Sequence, residues 1–236
     1  MKGLIVAAGQ GTRLRDIASS KPLALVRGAP LIEHVIQSAH AAGITSFVVV
    51  TGYEGERVEA FLRGLSARRG FAITAVRNLG WRGANGLSVA AAEPHLEEQF
   101  VLLMADHLFD ETLLADLIAN GGDWQGVVLA IDRRLDNPLV DLEDVTRVHT
   151  AADGTILRIG KLIEPYNAFD TGVFLASKAL IAAIAEDIVA GGSGGISGGM
   201  NILAAKGHAS TFDIGARFWL DVDDAVAHSH AERIRA

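Results

Sequence analysis

The chain encodes an α/β protein with a mostly parallel central sheet and a small β insertion. Three features carry that conclusion. Short β-rich apolar runs alternate with helix-length segments through the first half, the first run ends in a glycine-rich turn, and a later run ends in an aspartate. With 236 residues, half of them hydrophobic, one domain spanning 1–236 around a substantial core is expected.

The elements follow in order. Gly3–Ala7 is a buried strand that breaks at Gly9 and is too short an apolar stretch for a signal peptide. Pro30–Ala42 is a helix, with proline suited to its first turn and Gly43 able to take the left-handed position beyond its end. Phe47–Thr51, a helix over Glu54–Leu65 and Ile73–Val76 repeat the strand–helix–strand unit. A short helix over Gly86–Glu93, a strand at Phe100–Met104, a helix over Glu111–Ala119 and a strand at Gly126–Ile131 continue it. From Asp141 to Leu175 the pattern changes: Arg147–Thr150 and Ile156–Ile159, separated by Ala152-Asp153-Gly154, read as a hairpin within a β insertion. Helices over Lys178–Val189 and Met200–Lys206 flank the glycine tract Gly191–Gly199, a flexible loop by composition, and a final helix starts at Ala225.

Composition excludes several function classes. Lys plus Arg number 21 against 28 Asp plus Glu, a net charge of −7, and no basic block exists to track a nucleic-acid backbone. A triphosphate remains a suitable ligand, because a few cations, backbone amides and a metal decide that locally. Cysteine is absent, which removes disulfides, thiolate zinc sites and cysteine nucleophiles. The most apolar helical segment contains Glu186 and Asp187, so no membrane span is expected and a cytoplasmic protein is.

Four stretches carry chemistry. In Ala7-Ala8-Gly9-Gln10-Gly11-Thr12-Arg13-Leu14, followed by Lys21-Pro22, the glycines let backbone N–H groups approach phosphate oxygens, and Arg13 and Lys21 can neutralise a triphosphate. A tight turn with two solvated cations is the plain alternative. The dinucleotide fingerprint is incomplete, because Leu14 stands where a third glycine would be needed and Glu54 is a weak ribose-binding acid; a lysine-containing phosphate loop is missing. Asp106 ends the apolar run Leu102–Ala105 where α/β sheets bind ligands, and its oxygen can hold magnesium; capping the next turn is its alternative. His107 beside it is not assigned as a base. In Phe218-Trp219-Leu220-Asp221-Val222-Asp223-Asp224, alternation puts Asp221 and Asp223 on one face. Asp221 is taken as the second metal ligand, while Asp223 and Asp224 are read as caps of the last helix. Lys161, in Ile159-Gly160-Lys161-Leu162, is by itself an ordinary surface lysine.

Gly9-Gln10-Gly11-Thr12-Arg13-Leu14 with Lys21-Pro22 resembles the signature of the sugar-phosphate nucleotidyltransferase superfamily. The resemblance implies a Rossmann-like GT-A type fold in which the loop Ala7, Ala8, Gly9, Gly11 and Thr12 wraps a triphosphate held by Arg13 and Lys21. It also implies that Trp219-Leu220-Asp221 supplies the second acid of a magnesium site with Asp106, and that Lys161 contacts the acceptor phosphate.

Within that superfamily the chain is most similar to CTP:inositol-1-phosphate cytidylyltransferases, through Asn85-Gly86-Leu87-Ser88, Met104–His107, Val140–Val148, Ile159–Lys161, Tyr166–Phe174 and Phe218–Asp224. This likeness implies CTP as donor, a small phosphorylated alcohol as acceptor, Asn85 and Ser88 near the base, and Asp170 and Thr171 near the acceptor. Such enzymes are often fused to a membrane transferase, to which the product would pass. Arg82 is a further candidate for the triphosphate, with a surface salt bridge as its alternative. Asn137, Asp141, Asn167 and Asp170 lean towards a polyol. The pair Gly198-Gly199 departs from the family pattern, where an acidic residue is expected. Cytidylyltransferases for phosphocholine or aminoethylphosphonate, sugar-1-phosphate uridylyl- or guanylyltransferases, and a non-catalytic nucleotide-binding regulator are the competing functions. Sequence leaves oligomeric state open.

Overall fold

The computed structural model describes residues 1–121 and 125–234, so five residues of the 1–236 span lie outside it. The chain runs β1 (Lys2–Ala7), a small hairpin of β2 (Leu25–Val26) and β3 (Ala29–Pro30), α1 (Leu31–Ala41), β4 (Ser46–Thr51), α2 (Gly55–Arg69) and β5 (Ala72–Arg77). It continues through α3 (Gly86–Ala91), β6 (Gln99–Met104), β7 (His107–Phe109), α4 (Glu111–Asn120), β8 (Val127–Asp132), β9 (Arg147–Thr150) and β10 (Ile156–Gly160). Then come β11 (Ala168–Ser177), α5 (Lys178–Val189), α6 (Ile196–Ala205), β12 (Ala209–Asp213), β13 (Trp219–Asp221) and α7 (Ala225–Arg233).

A nine-stranded sheet has the order β10-β9-β11-β6-β1-β4-β5, with β8 also on β11 and β12 on β8. Strands β6, β1, β4 and β5 pair in parallel, as does β12 with β8, whereas β11 runs antiparallel to β6, β8 and β9. The sheet is therefore mostly parallel, with β10 and β11 running against the rest. Because strand side chains alternate, Ile5, Phe47, Val49, Val101 and Leu103 pack on one face with residues of α1, α2 and α4. Leu4, Val48, Val50 and Leu102 pack on the other with residues of α3, α5 and α6. A third cluster (Leu14, Leu108, Leu220, Val222, Ala231) joins the first loop to β7, β13 and α7 and floors the site.

Local chemistry sets the helix ends. Asp110 and Ser177 accept from Thr112 N and Ala179 N to begin α4 and α5, and Gly43 takes φ 96° after α1. Two expectations change. Tyr166–Leu175 is no part of an insertion: β11 is a central strand whose register with β8 shifts between Asp170 and Phe174. The glycine tract is no loop throughout, since its last residues form the first turn of α6, with Ile196 N donating to Asn85 Oδ1 at 2.9 Å.

Candidate active site

The site lies beyond the C-terminal ends of β1 and β6, and its first wall is the loop after β1. Gly11 takes φ 60°, and a Cβ there would fall 2.4 Å from Lys21 Cβ. Only glycine admits the lysine so closely. Leu14, fully buried, anchors the turn from below, while Thr12 and Arg13 stay exposed. Lys21 is drawn inward until its side chain is 7% exposed, with Nζ 2.5 Å from Asp106 and 3.7 Å from Asp221, and it also pairs with Asp223.

Asp106 stands just past β6, and β13 pairs antiparallel with β7 so that Asp221 lies opposite His107. Asp224 caps α7 through Ala227 N at 2.8 Å. Asp223 does not cap it; its carboxylate turns to Lys21 and Arg13. The expected pair of caps is thus divided, one acid holding the helix and the other joining the site. Arg13 also reaches Asp144 at 2.5 Å and Asp141 at 3.8 Å, and Asp144 in turn pairs with Lys161. Charge alternates along one path, Lys161, Asp144, Arg13, Asp223, Lys21, Asp106. Asp144 had no separate signal, for in sequence it is one acid of a loop containing Asp141 and Glu143.

Two cavities meet at this path. One of about 210 Å³ is lined by Ala7, Gly9, Gly11, Lys21, Asp106 and Asp223. The other, about 490 Å³, includes Asn85, Asp106, Asp144, Lys161, Asp170 and Asp221 in its lining. Asp106 and Asp223 border both.

Electrostatics follow from the crowding of acids. Enclosure, then the charge of Asp221, pushes the Asp106 carboxyl up to about 6, although a quarter of its side chain stays open to solvent and tempers the effect. His107 Nδ1 must donate to Thr171 O at 2.8 Å, since a carbonyl only accepts, leaving Nε2 facing Asp221 at 3.4 Å and Asp106 at 3.9 Å. Burial opposes its charged form, but Asp221 and Asp106 outweigh it and hold the imidazole up to about 10. Gly172 makes room for it: φ is 76°, and a Cβ would lie 2.2 Å from His107 Nδ1.

The acids fit a hard divalent cation. The carboxylates of Asp106 and Asp221, beside the His107 ring, and separately those of Asp144, Asp221 and Asp223, bring ligand atoms within 4.8 Å of one another. Asp221 Oδ1 is buried and accepts no hydrogen bond. An oxygen-rich set containing such an atom suits magnesium.

Other sequence candidates fall elsewhere. Ser88 is 3% exposed, and its hydroxyl is taken by Asn78 Nδ2 at 3.0 Å, so it does not line either cavity. Thr171 is fully buried, with its hydroxyl donating to Ala130 O across the sheet rather than facing an acceptor. Thr171 likewise lines neither cavity. Asp170 does line the larger cavity; burial pushes its carboxyl up to about 6, against the Gly172 N–H donated to Oδ1. Asn137 and Asn167 serve the backbone of Leu139 and Thr150. Arg82 stacks on Trp81 at 4.3 Å, and Glu54 binds Ser19 and Arg57.

The family model of MobA-like NTP transferase domains matches residues 3–186. A bifunctional IPC transferase and DIPP synthase of Rubrobacter xylanophilus is 33% identical over 93% of this chain and 48% of its own. Its Aquifex aeolicus counterpart is 27% identical over the same shares. This chain therefore spans about half the length of these curated relatives. Among solved structures, the inositol-1-phosphate CTP transferase from T. maritima superposes with a TM-score of 0.85 at 26% identity, covering 100% of this chain and 97% of that one.

Proposed function

The chain belongs to the family of MobA-like NTP transferase domains, and on that premise we propose that it transfers CMP from CTP to inositol 1-phosphate, giving CDP-inositol and pyrophosphate. The observation that carries this reading is the pair of cavities sharing Asp106 and Asp223, with Arg13 and Lys21 on the side of the glycine loop and Lys161 on the other. Two phosphorylated substrates can meet across one set of acids. The names of the Rubrobacter and T. maritima proteins support the choice of donor and acceptor.

In the reaction, an acceptor phosphate oxygen attacks the α-phosphorus of CTP, forming one P–O bond as the α–β bridging bond breaks and pyrophosphate leaves. Asp106 and Asp221 would hold magnesium, which would supply Lewis-acid neutralisation at the α-phosphate. Arg13 and Lys21 exchange their carboxylate partners for triphosphate oxygens and hold the leaving pyrophosphate, with Ala7, Ala8, Gly9, Gly11 and Thr12 forming the loop around it. Asn85 lines the larger cavity from the start of α3 and is kept as a contact to the base. Lys161 orients the acceptor phosphate, and Asp170 binds an acceptor hydroxyl. A phosphate monoester is already mostly ionised near neutral pH, so no side chain is needed as general base.

We take 1–236 as one nucleotidyltransferase domain and place it in the cytoplasm; no described helix is long and apolar enough to cross a membrane. The double name of the longer relatives supports passing the product on to a second, transferase activity.

The test is pyrophosphate release with magnesium, each of the four NTPs, and inositol 1-phosphate, phosphocholine, aminoethylphosphonate or hexose 1-phosphates. Release confined to CTP with inositol 1-phosphate upholds the proposal. Release with another pair rejects its substrates, and NTP binding without release under any pair rejects catalysis in favour of a regulator.

A further inference from the structure

Asp132, at the end of β8, is fully buried yet lines neither cavity. An ionised carboxylate is held in such a place only when its lone pairs are filled. Oδ1 accepts from Arg134 N at 2.9 Å and Arg134 Nε at 2.8 Å. Oδ2 accepts from Arg134 Nη2 at 2.9 Å, Asn137 Nδ2 at 2.9 Å and Trp219 Nε1 at 2.8 Å. Burial disfavours the charge, but these donors outweigh it and hold the carboxyl below its usual range.

The donors come from two parts of the site. Trp219 opens the three-residue strand that ends in Asp221, and its indole is fastened to Asp132 while the strand's backbone pairs with β7. Arg134 and Asn137 belong to the loop that continues into Pro138, Leu139 and Val140, which wall the larger cavity. Asn137 passes the constraint on, since its Oδ1 accepts from Leu139 N at 3.0 Å. A short two-stranded ladder does little to fix a metal ligand's position, so a buried side-chain anchor two residues away has leverage on it.

We infer that Asp132 is a positioning residue that sets the metal ligand Asp221 through Trp219 and the acceptor-side wall through Asn137. The inference rests on the functional reading above, in which Asp221 is the ligand and the larger cavity takes the acceptor. Asp132→Asn is the informative change, because one carboxamide oxygen replaces two acceptors and its NH₂ faces groups that already donate. Either the indole and Asn137 or the Arg134 side loses its partner.

The two arms are separable. Manganese binding, followed by electron paramagnetic resonance of the free ion, reads Asp221 without turnover. The Trp219 indole N–H resonance, identified by its loss in Trp219→Phe, reads the hydrogen bond itself. Initial rates with CTP and inositol 1-phosphate read the acceptor wall. Expected for D132N are a displaced indole resonance, manganese affinity weaker by about ten-fold, the lower end for a supporting contact, and a raised acceptor KM. W219F should weaken manganese binding alike, and Asn137→Ala should raise the acceptor KM with manganese affinity within two-fold of wild type. If D132N does not fold, W219F and N137A decide the matter. Folded variants whose manganese affinity and acceptor KM all stay within two-fold of wild type overturn the inference. A wild-type protein without turnover defeats the functional reading instead, and leaves the manganese and indole measurements standing as the test of Asp132.

Discussion

Lys21→Met removes a buried cation that touches three of the site's acids. Its Nζ lies 2.5 Å from Asp106 and 3.7 Å from Asp221 and pairs with Asp223. Unit charges at such separations interact by about 4 kcal/mol at an effective dielectric of 20. Breaking a sealed pair costs about 3–5 kcal/mol, but the three carboxylates are 25–34% exposed and water recovers part of it. The expected net loss is about 2 kcal/mol, which lowers the melting temperature of a domain this size by about 4–8 °C in metal-free buffer. The same ammonium competes with a divalent ion for the acids, so the variant should bind magnesium more tightly without nucleotide. At 100 times the dissociation constant, magnesium adds about 2.7 kcal/mol and cancels the deficit. Pyrophosphate release should nevertheless fall by about 10²–10³, the effect of losing one preorganised charge at a transition state. Thermal melts of both proteins across a magnesium titration supply the assay. A metal-free melting temperature within 1 °C of wild type, or a magnesium response no larger than that of wild type, refutes the argument.

Gly172→Ala places a methyl 2.2 Å from His107 Nδ1 at φ 76° and should destabilise by about 2–3 kcal/mol, read from equilibrium urea denaturation. Lys161→Ala should raise the KM for inositol 1-phosphate by about 10- to 100-fold, the loss of one charge-assisted hydrogen bond, and leave the KM for CTP unchanged in initial-rate kinetics. Asp132 contributes pH-dependent stability. Its folded-state pKa is depressed, chiefly by Arg134 against the opposing effect of burial. The contribution is complete above the ordinary carboxylate value of about 4 and is lost as pH falls through the lower folded-state value. Melting temperatures of wild type and D132N should therefore differ most near neutrality and converge below about pH 4.

The parallel half of the sheet was legible because its signals are local: β1, β4, β5 and β6 are apolar runs between helix-length segments, and they fall within one residue of the spans expected for them. β11 was not, because Asp170 and Gly172 interrupt its apolar pattern and its central place depends on pairing with β6 and β8 far away in the chain. The same division runs through the site. Lys21, Asp106 and Asp221 converge as their motifs suggest. For Asp223, alternation and capping were both open locally, and Asp224 settled the choice by reaching Ala227 N and leaving its neighbour to Lys21, 202 positions distant. Ser88 and Thr171 show the converse, since spacing places a residue near a site without saying which way its hydroxyl points. Gly11 carries the most instructive case. In sequence, Gly-Gln-Gly-Thr-Arg and Lys-Pro are two separate signals, and the glycine is explained by phosphate contact. In the fold the Gly11 Cα stands where any Cβ would strike Lys21, so the glycine is also what lets the buried cation enter. The spacing between the two signals thus reflects a packing contact inside the protein as well as chemistry towards a substrate.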